Sequence, residues 1–193
     1  MSTEKGNIYL AQVHSVAVSY RAAFVDYGAV RDGFLPFDEI ENKYKTKRNH
    51  ETRERIIRRD AVVVVQVKKP AVAGKGALLT THLSLAGDYV AYLPDRLPRG
   101  MVSRKIEEGQ ERERLQQIAS DLAKTYRASL VVRTEAAGQS AARIEKDLKK
   151  LITLHENIQA QAQKRTAPAL LYQEGAFPSV HVMKWLKALF LKK

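Results

Sequence analysis

The stretch AAFVDYGAVRDGFLPF, residues 22–37, decides the fold. Two short apolar runs flank a polar centre, GAVRDG, which is the pattern of a hairpin. Successive side chains of a strand point to opposite faces. Ala23, Val25 and Tyr27 therefore share one face, and Ala22, Phe24 and Asp26 share the other. Asp26 marks the wet face, so Phe24 is an aromatic ring on the solvent side. After the turn, Leu35 and Phe37 point to the core and Phe34 points outward. Two rings are expected on one exposed sheet surface.

Further strands surround this hairpin. IYLAQVHSVAV (8–18) alternates, with Ile8, Leu10 and Gln12 on one face and Tyr9, Ala11 and Val13 on the other. AVVVVQVKK (61–69) is a β-branched run expected as a buried strand, and KGALLTTHLSL (75–85) reads as another. Five short strands within about 80 residues predict a small closed barrel. Between them lies IENKYKTKRNHETRERIIRRD (40–60), densely charged and mostly basic. It reads as a solvated loop with a helical turn, or as a phosphate-contacting segment beside the barrel.

The pattern then changes. DYVAYLP (88–94) reads as a strand and DRLPRG as a turn. Leu115, Ile118 and Leu122 predict a helix over 106–124. SLVVRTEA (129–136) reads as a strand leading to a turn at Gly138. Residues 140–165 predict a long amphipathic helix capped by Ser140, with Ile144, Leu148, Leu151, Ile152 and Leu154 on its apolar side. PALLYQE (168–174) reads as a strand, and FPSVHVMKWLKALFLKK as a basic amphipathic helix. Alternating strands and helices indicate an α/β segment, and the whole chain is expected as α+β.

Composition narrows the function. The 193 residues carry a net charge of +12, and their pI is near 9.9. That balance favours polyanionic partners, nucleic acid or an anionic membrane surface. The absence of cysteine removes disulfides, thiolate nucleophiles and cysteine-held metals. No signal-type apolar core opens the chain and no spanning run exists, so a cytoplasmic location is expected. Histidines stand at 14, 50, 82, 155 and 181, never at metal-ligand spacing. No nucleophile elbow, phosphate loop or dinucleotide fingerprint appears. The motifs point to a binding protein.

Two sets of residues carry the binding chemistry. Exposed Phe24 and Phe34 would stack bases, and Lys75, entering a later strand, would reach a phosphate. The alternative is that both rings pack against the second segment. In VVRTEAAGQS (131–140), Arg133 and Thr134 close a strand and Gly138 opens a turn into a helix. A guanidinium fork, a hydroxyl and backbone amides at such a turn suit a terminal phosphate. The alternative is a surface arginine beside a strand-end threonine.

GNIYLAQV, AAFVDYG…GFLPF, KGALLTTHLSLAG, VSRKIE and VVRTEAAGQSA occur in that order. From Gly6 to Glu174 the chain closely resembles the ribonuclease E/G family of RNA-processing endonucleases. The resemblance implies a five-stranded S1-type, OB-fold barrel over 6–84 and a small α/β 5′-sensor domain over 85–177. It implies RNA contacts from Phe24, Phe34 and Lys75. It also implies a 5′-monophosphate site formed by Arg133 and Thr134, with Gly87, Ala91 and Arg104.

The departures shape the expected function. The family's magnesium-holding aspartates and its zinc-link motif find no counterpart, so no cofactor is expected in this chain. Substrate recognition is expected without cleavage by this chain alone: binding of single-stranded RNA and of its 5′-monophosphate end. A catalytic half supplied in trans, or a homo-oligomer, is a further expected partner. The tail 178–193 reads as a remnant of the family's RNase-H-like domain, covering an open edge. The other reading is an interaction protein that meets a partner or membrane surface through this helix.

Overall fold

The computed structural model describes residues 5–45, 47–48 and 55–175. The first region holds β1 (Ile8–Ala17), β2 (Ala22–Asp26), β3 (Gly33–Pro36), a two-residue ladder of β4 (Lys47–Arg48) and β5 (Arg55–Ile56), then β6 (Val62–Lys69) and β7 (Leu78–Thr80). The order is β1-β2-β3-β7-β6, and β6 returns to pair with β1. Only β3 and β7 run parallel in this closed ring. The result is the five-stranded OB-type barrel, with β6 and β7 as its fourth and fifth strands.

Alternation fills the barrel. Tyr9, Ala11 and Val13 of β1, Ala23 and Val25 of β2, Leu35 of β3 and Val63, Val65 and Val67 of β6 form one apolar cluster. Tyr27 joins them, edge-on to Tyr9 at 5.3 Å between ring centroids. Ile8, Leu10 and Val64 point the other way, into a second cluster built from the rest of the chain. From Val63 to Val67 both faces of β6 are buried, which explains most of its valine run; Val62, at its start, is 52% exposed.

The second region holds β8 (Leu85–Ala86), β9 (Val90–Tyr92), β10 (Arg99–Val102), α1 (Gln110–Tyr126), β11 (Ser129–Val132), α2 (Ala141–Lys164) and β12 (Ala169–Tyr172). Its sheet has the order β10-β11-β9-β8, with β10 and β11 parallel. α1 forms the crossover between them and buries Leu115, Ala119, Leu122 and Ala123. α2 begins at Ser140, whose hydroxyl accepts a hydrogen bond from the Arg143 amide. It buries Ile144, Asp147, Leu148, Leu151 and Ile158. β12 leaves this region and pairs with β1 of the barrel, Leu10 opposite Ala169.

Several elements differ from expectation. Residues 75–85 do not form one strand. The Thr80 hydroxyl accepts from the His82 amide at 3.0 Å and turns the chain between β7 and β8. Asx and Ser/Thr side chains bend backbone in this way. The end of DRLPRG is not turn but the start of β10, recruited by its parallel partner β11. β11 ends at Val132, and Thr134–Ala136 forms a 3-10 turn. The loop at 40–60 does hold a helical turn, Asn42–Tyr44. The helix expected over 178–193 lies outside the described residues.

Candidate functional site

Phe24 and Phe34 stand directly opposite each other on β2 and β3. Their rings meet edge to face, 5.9 Å between centroids at 62°. Each is half-buried, and neither belongs to either apolar cluster. The faces left open are apolar surface on the strand pair with which OB-type barrels meet oligonucleotides.

Lys75 is exposed in the tight turn between β6 and β7, where its amide donates to the Val72 carbonyl at 2.9 Å. Gly76 sets the position of that turn. A Cβ there would stand 1.9 Å from the Asp32 carbonyl oxygen, so only glycine lets the turn lie on the β2–β3 loop. The barrel thus ties Lys75 to the connection between the two phenylalanine strands. Tyr20, in the β1–β2 connection, is 74% exposed. The corresponding loop also contributes to ligand binding in OB-type barrels. Tyr20 ends the 3-10 turn Val18–Tyr20 and belongs to no strand, so strand alternation does not reach it.

The second site forms at one end of the four-stranded sheet. Parallel pairing sets Val102 beside Val132, so Arg104 and Arg133 both follow the carboxyl ends of neighbouring strands. β9 runs antiparallel and delivers its own start to the same end: the Arg133 amide donates to the Tyr89 carbonyl at 2.8 Å. The Arg133 guanidinium donates from Nη1 to the Gly87 carbonyl. Gly87, Arg133 and Thr134 are therefore brought together. Ala91 lies one register step into the sheet, opposite Val131. Arg104 is exposed at the sheet end.

Asp147 supports this corner from α2. It is 4% exposed and accepts from the amides of Tyr89 at 2.7 Å and Val90 at 3.1 Å. Its signal was present in the sequence: an acid at the second position of the stripe Ile144, Asp147, Leu148, Leu151. Such a residue is buried with backbone partners or not at all.

Two carboxylates already sit on the donors of the 133–138 turn. Glu135 takes Arg133 Nη2 at 3.3 Å and the Thr134 hydroxyl at 3.1 Å. Its carboxyl is held below the usual range by its own backbone amide first, then by Thr134, Arg133 and Lys105. Glu111 accepts from the Gly138 amide at 2.9 Å and from Arg114, which lower its carboxyl to about 2. The Gly138 amide, expected as a phosphate donor, thus has a carboxylate partner.

Among the described residues no group of three or more His, Asp or Glu could hold a metal ion. No helix among these residues is long and apolar enough to cross a membrane.

The sequence of this chain matches a known family. The model of the ribonuclease E/G family covers residues 84–190, more than half of the chain. The chain belongs to the ribonuclease E/G family. It is 40% identical to ribonuclease E of Haemophilus influenzae over 176 residues, which is 89% of this chain and 19% of that protein. It is 38% identical to ribonuclease E of Escherichia coli over 177 residues, 89% of this chain and 16% of that protein. Ribonuclease G of Haemophilus influenzae is 29% identical over 181 residues, 90% of this chain and 36% of that protein. This ribonuclease E/G chain spans less than a fifth of the length of these two ribonuclease E relatives.

Proposed function

We propose that this chain is an RNA-recognition unit. The barrel grips single-stranded RNA by stacking bases on Phe24 and Phe34, with Lys75 on the phosphate backbone. The sheet end carrying Arg133, Thr134 and Gly87, flanked by Ala91 and Arg104, receives a 5′-monophosphate. Cleavage is assigned to a metal-bearing domain supplied from outside these residues, in the same polypeptide or in a partner chain.

The observation that carries this reading is the Phe24–Phe34 pair. Two adjacent rings on the strands β2 and β3 offer π-faces to bases, and stacking of this kind is worth about 1–3 kcal/mol per base. The Arg133 fork supports the second part, because a guanidinium with an adjacent hydroxyl suits a terminal phosphate. A net charge of +12 supports a polyanion as the partner.

The test is affinity for one short single-stranded RNA bearing a 5′-monophosphate or a 5′-hydroxyl, measured across salt concentrations. The monophosphate should bind more tightly, and Arg133→Ala should erase the difference. Equal affinity for the two ends would remove the end-recognition role. Full affinity after both Phe24→Ala and Phe34→Ala would remove the stacking role.

A further inference from the structure

The turn that follows β11 holds an anion of its own. One carboxylate, that of Glu135, lies against the Arg133 guanidinium and the Thr134 hydroxyl. These are the two side-chain donors assigned above to the RNA phosphate. The contacts are local in sequence, so the carboxylate returns to its donors whenever they are free. Glu135 is half exposed, with 53% of its side chain open to solvent, so an incoming ligand can displace it without opening the core.

We propose that Glu135 is a built-in competitor that sets the strength of the 5′-monophosphate site, a role that rests on the end-recognition reading. In the free protein the carboxylate accepts from Arg133 Nη2 and from the Thr134 hydroxyl, while Arg133 Nη1 stays on the Gly87 carbonyl. A terminal phosphate must displace it to reach Arg133 and Thr134, or bind beside it against like-charge repulsion. The phosphate monoester succeeds because it brings a charge of about −1.5 to −2 and three acceptor oxygens against a single negative charge. An RNA ending in a 5′-hydroxyl brings no such group and leaves Glu135 in place. The residue thereby lowers affinity for the monophosphate end alone.

Glu135→Gln tests this. The amide keeps the shape and one acceptor but loses the charge, and the residue is not part of either apolar core. Affinity for the 5′-monophosphate RNA should rise by about two- to five-fold, the range of an exposed ion pair. Affinity for the 5′-hydroxyl RNA should not change. Glu135→Ala should act in the same direction, and Arg133→Ala added to Glu135→Gln should cancel the gain. If the wild type prefers the monophosphate and Glu135→Gln leaves that preference unchanged, the competitor role is wrong and the site stands. If the preference falls, Glu135 instead holds Arg133 in place for the phosphate, which also overturns the proposal. If neither protein distinguishes the two ends, the end-recognition reading fails and the competitor role falls with it.

Discussion

The carboxylate of Asp147 fills the space that a side chain at Gly87 would need. A Cβ on Gly87 would stand 2.4 Å from Asp147 Oδ2. The carboxylate has little freedom to give way, because it accepts the amides of Tyr89 and Val90. This one contact joins α2 to the turn that presents the Gly87 carbonyl to Arg133.

Gly87→Ala should therefore destabilise the fold by roughly 1–3 kcal/mol, the cost of overpacking a tight site. Asp147→Ala should cost about 2–4 kcal/mol, since the buried Val90 amide and the partly buried Tyr89 amide lose their carboxylate acceptor. Urea denaturation measures both. A loss below about 0.5 kcal/mol for Gly87→Ala would mean that the turn shifts freely. At sub-denaturing concentrations Gly87→Ala should also weaken any preference for a 5′-monophosphate end, because the Arg133 guanidinium is anchored on that turn.

The two phenylalanines should act as a coupled pair. Each substitution to alanine removes one stacking surface, worth about 1–3 kcal/mol of RNA affinity. It also strips the other ring of its edge-to-face partner, an interaction worth about 0.5–1.5 kcal/mol. Phe24→Ala and Phe34→Ala together should then cost less than the sum of the single losses. The slope of affinity with salt should stay as in the wild type, because no phosphate contact is lost. A steep change in that slope would show that the rings act by placing charges.

Much of this architecture was legible in residues 22–37. Alternation alone separated Ala23, Val25, Tyr27 and Leu35, which the barrel buries, from Phe24 and Phe34, which it leaves half open. The apolar stripe of α2 and its Ser140 cap were legible for the same reason: a regular period leaves a regular trace. β10 was not, because Arg99 and Gly100 carry no strand pattern, and pairing with a distant β11 decides their conformation. Nor was the seam between the two regions. Sequence shows that both faces of β6 are apolar but not which distant residues cover the outer one. At the end of the second sheet, spacing alone left Arg133 and Thr134 no better than a surface arginine beside a strand-end threonine, and only the family resemblance singled them out. Their engagement with Glu135 could not be read, because it depends on where the strand stops and the 3-10 turn begins.

Burial of Glu41 should leave a signature in pH. Its residue is 9% exposed, and one carboxylate oxygen finds no hydrogen-bond partner among the described residues. Burial first, then the nearby Asp95 carboxylate, pushes its carboxyl from 4.5 up to about 7, against the pull of Lys43. Lys43 lies 3.1 Å from Glu41 and 2.9 Å from Asp95. The folded state then holds this proton up to about pH 7, whereas the unfolded chain releases it near 4.5. Folding binds the proton, so this group's contribution favours the folded state at low pH. That contribution is lost as pH rises from about 4.5 to about 7, by on the order of 3 kcal/mol. Glu41→Gln removes the titration. Relative to wild type, the variant should gain stability between pH 5 and pH 8, as read by urea unfolding at each pH. Parallel curves for the two proteins would show that Glu41 is ionised throughout.

Gln66 should hold the seam between the barrel and the second region. It is 6% exposed, on the outer face of β6 between apolar Val64 and the start of the second sheet. Its Nε2 donates to the Gly6 carbonyl at 3.1 Å and the Ser84 carbonyl at 2.9 Å, and its Oε1 accepts from the Ser84 amide at 2.8 Å. One carboxamide thus closes three backbone groups, one at Gly6 before β1 and two at Ser84 where the chain passes from β7 to β8. Gln66→Leu matches the volume but leaves those groups without their partner, at about 1–3 kcal/mol for each one that water cannot reach. The expected loss is roughly 2–4 kcal/mol in urea unfolding. Gln66→Glu should be at least as damaging, since it keeps an acceptor for the Ser84 amide but places a charge against two carbonyl oxygens. If Gln66→Leu is as stable as the wild type, water already serves these groups and the seam rests on the apolar packing of Ile8, Leu10 and Val64 and on the β1–β12 pairing.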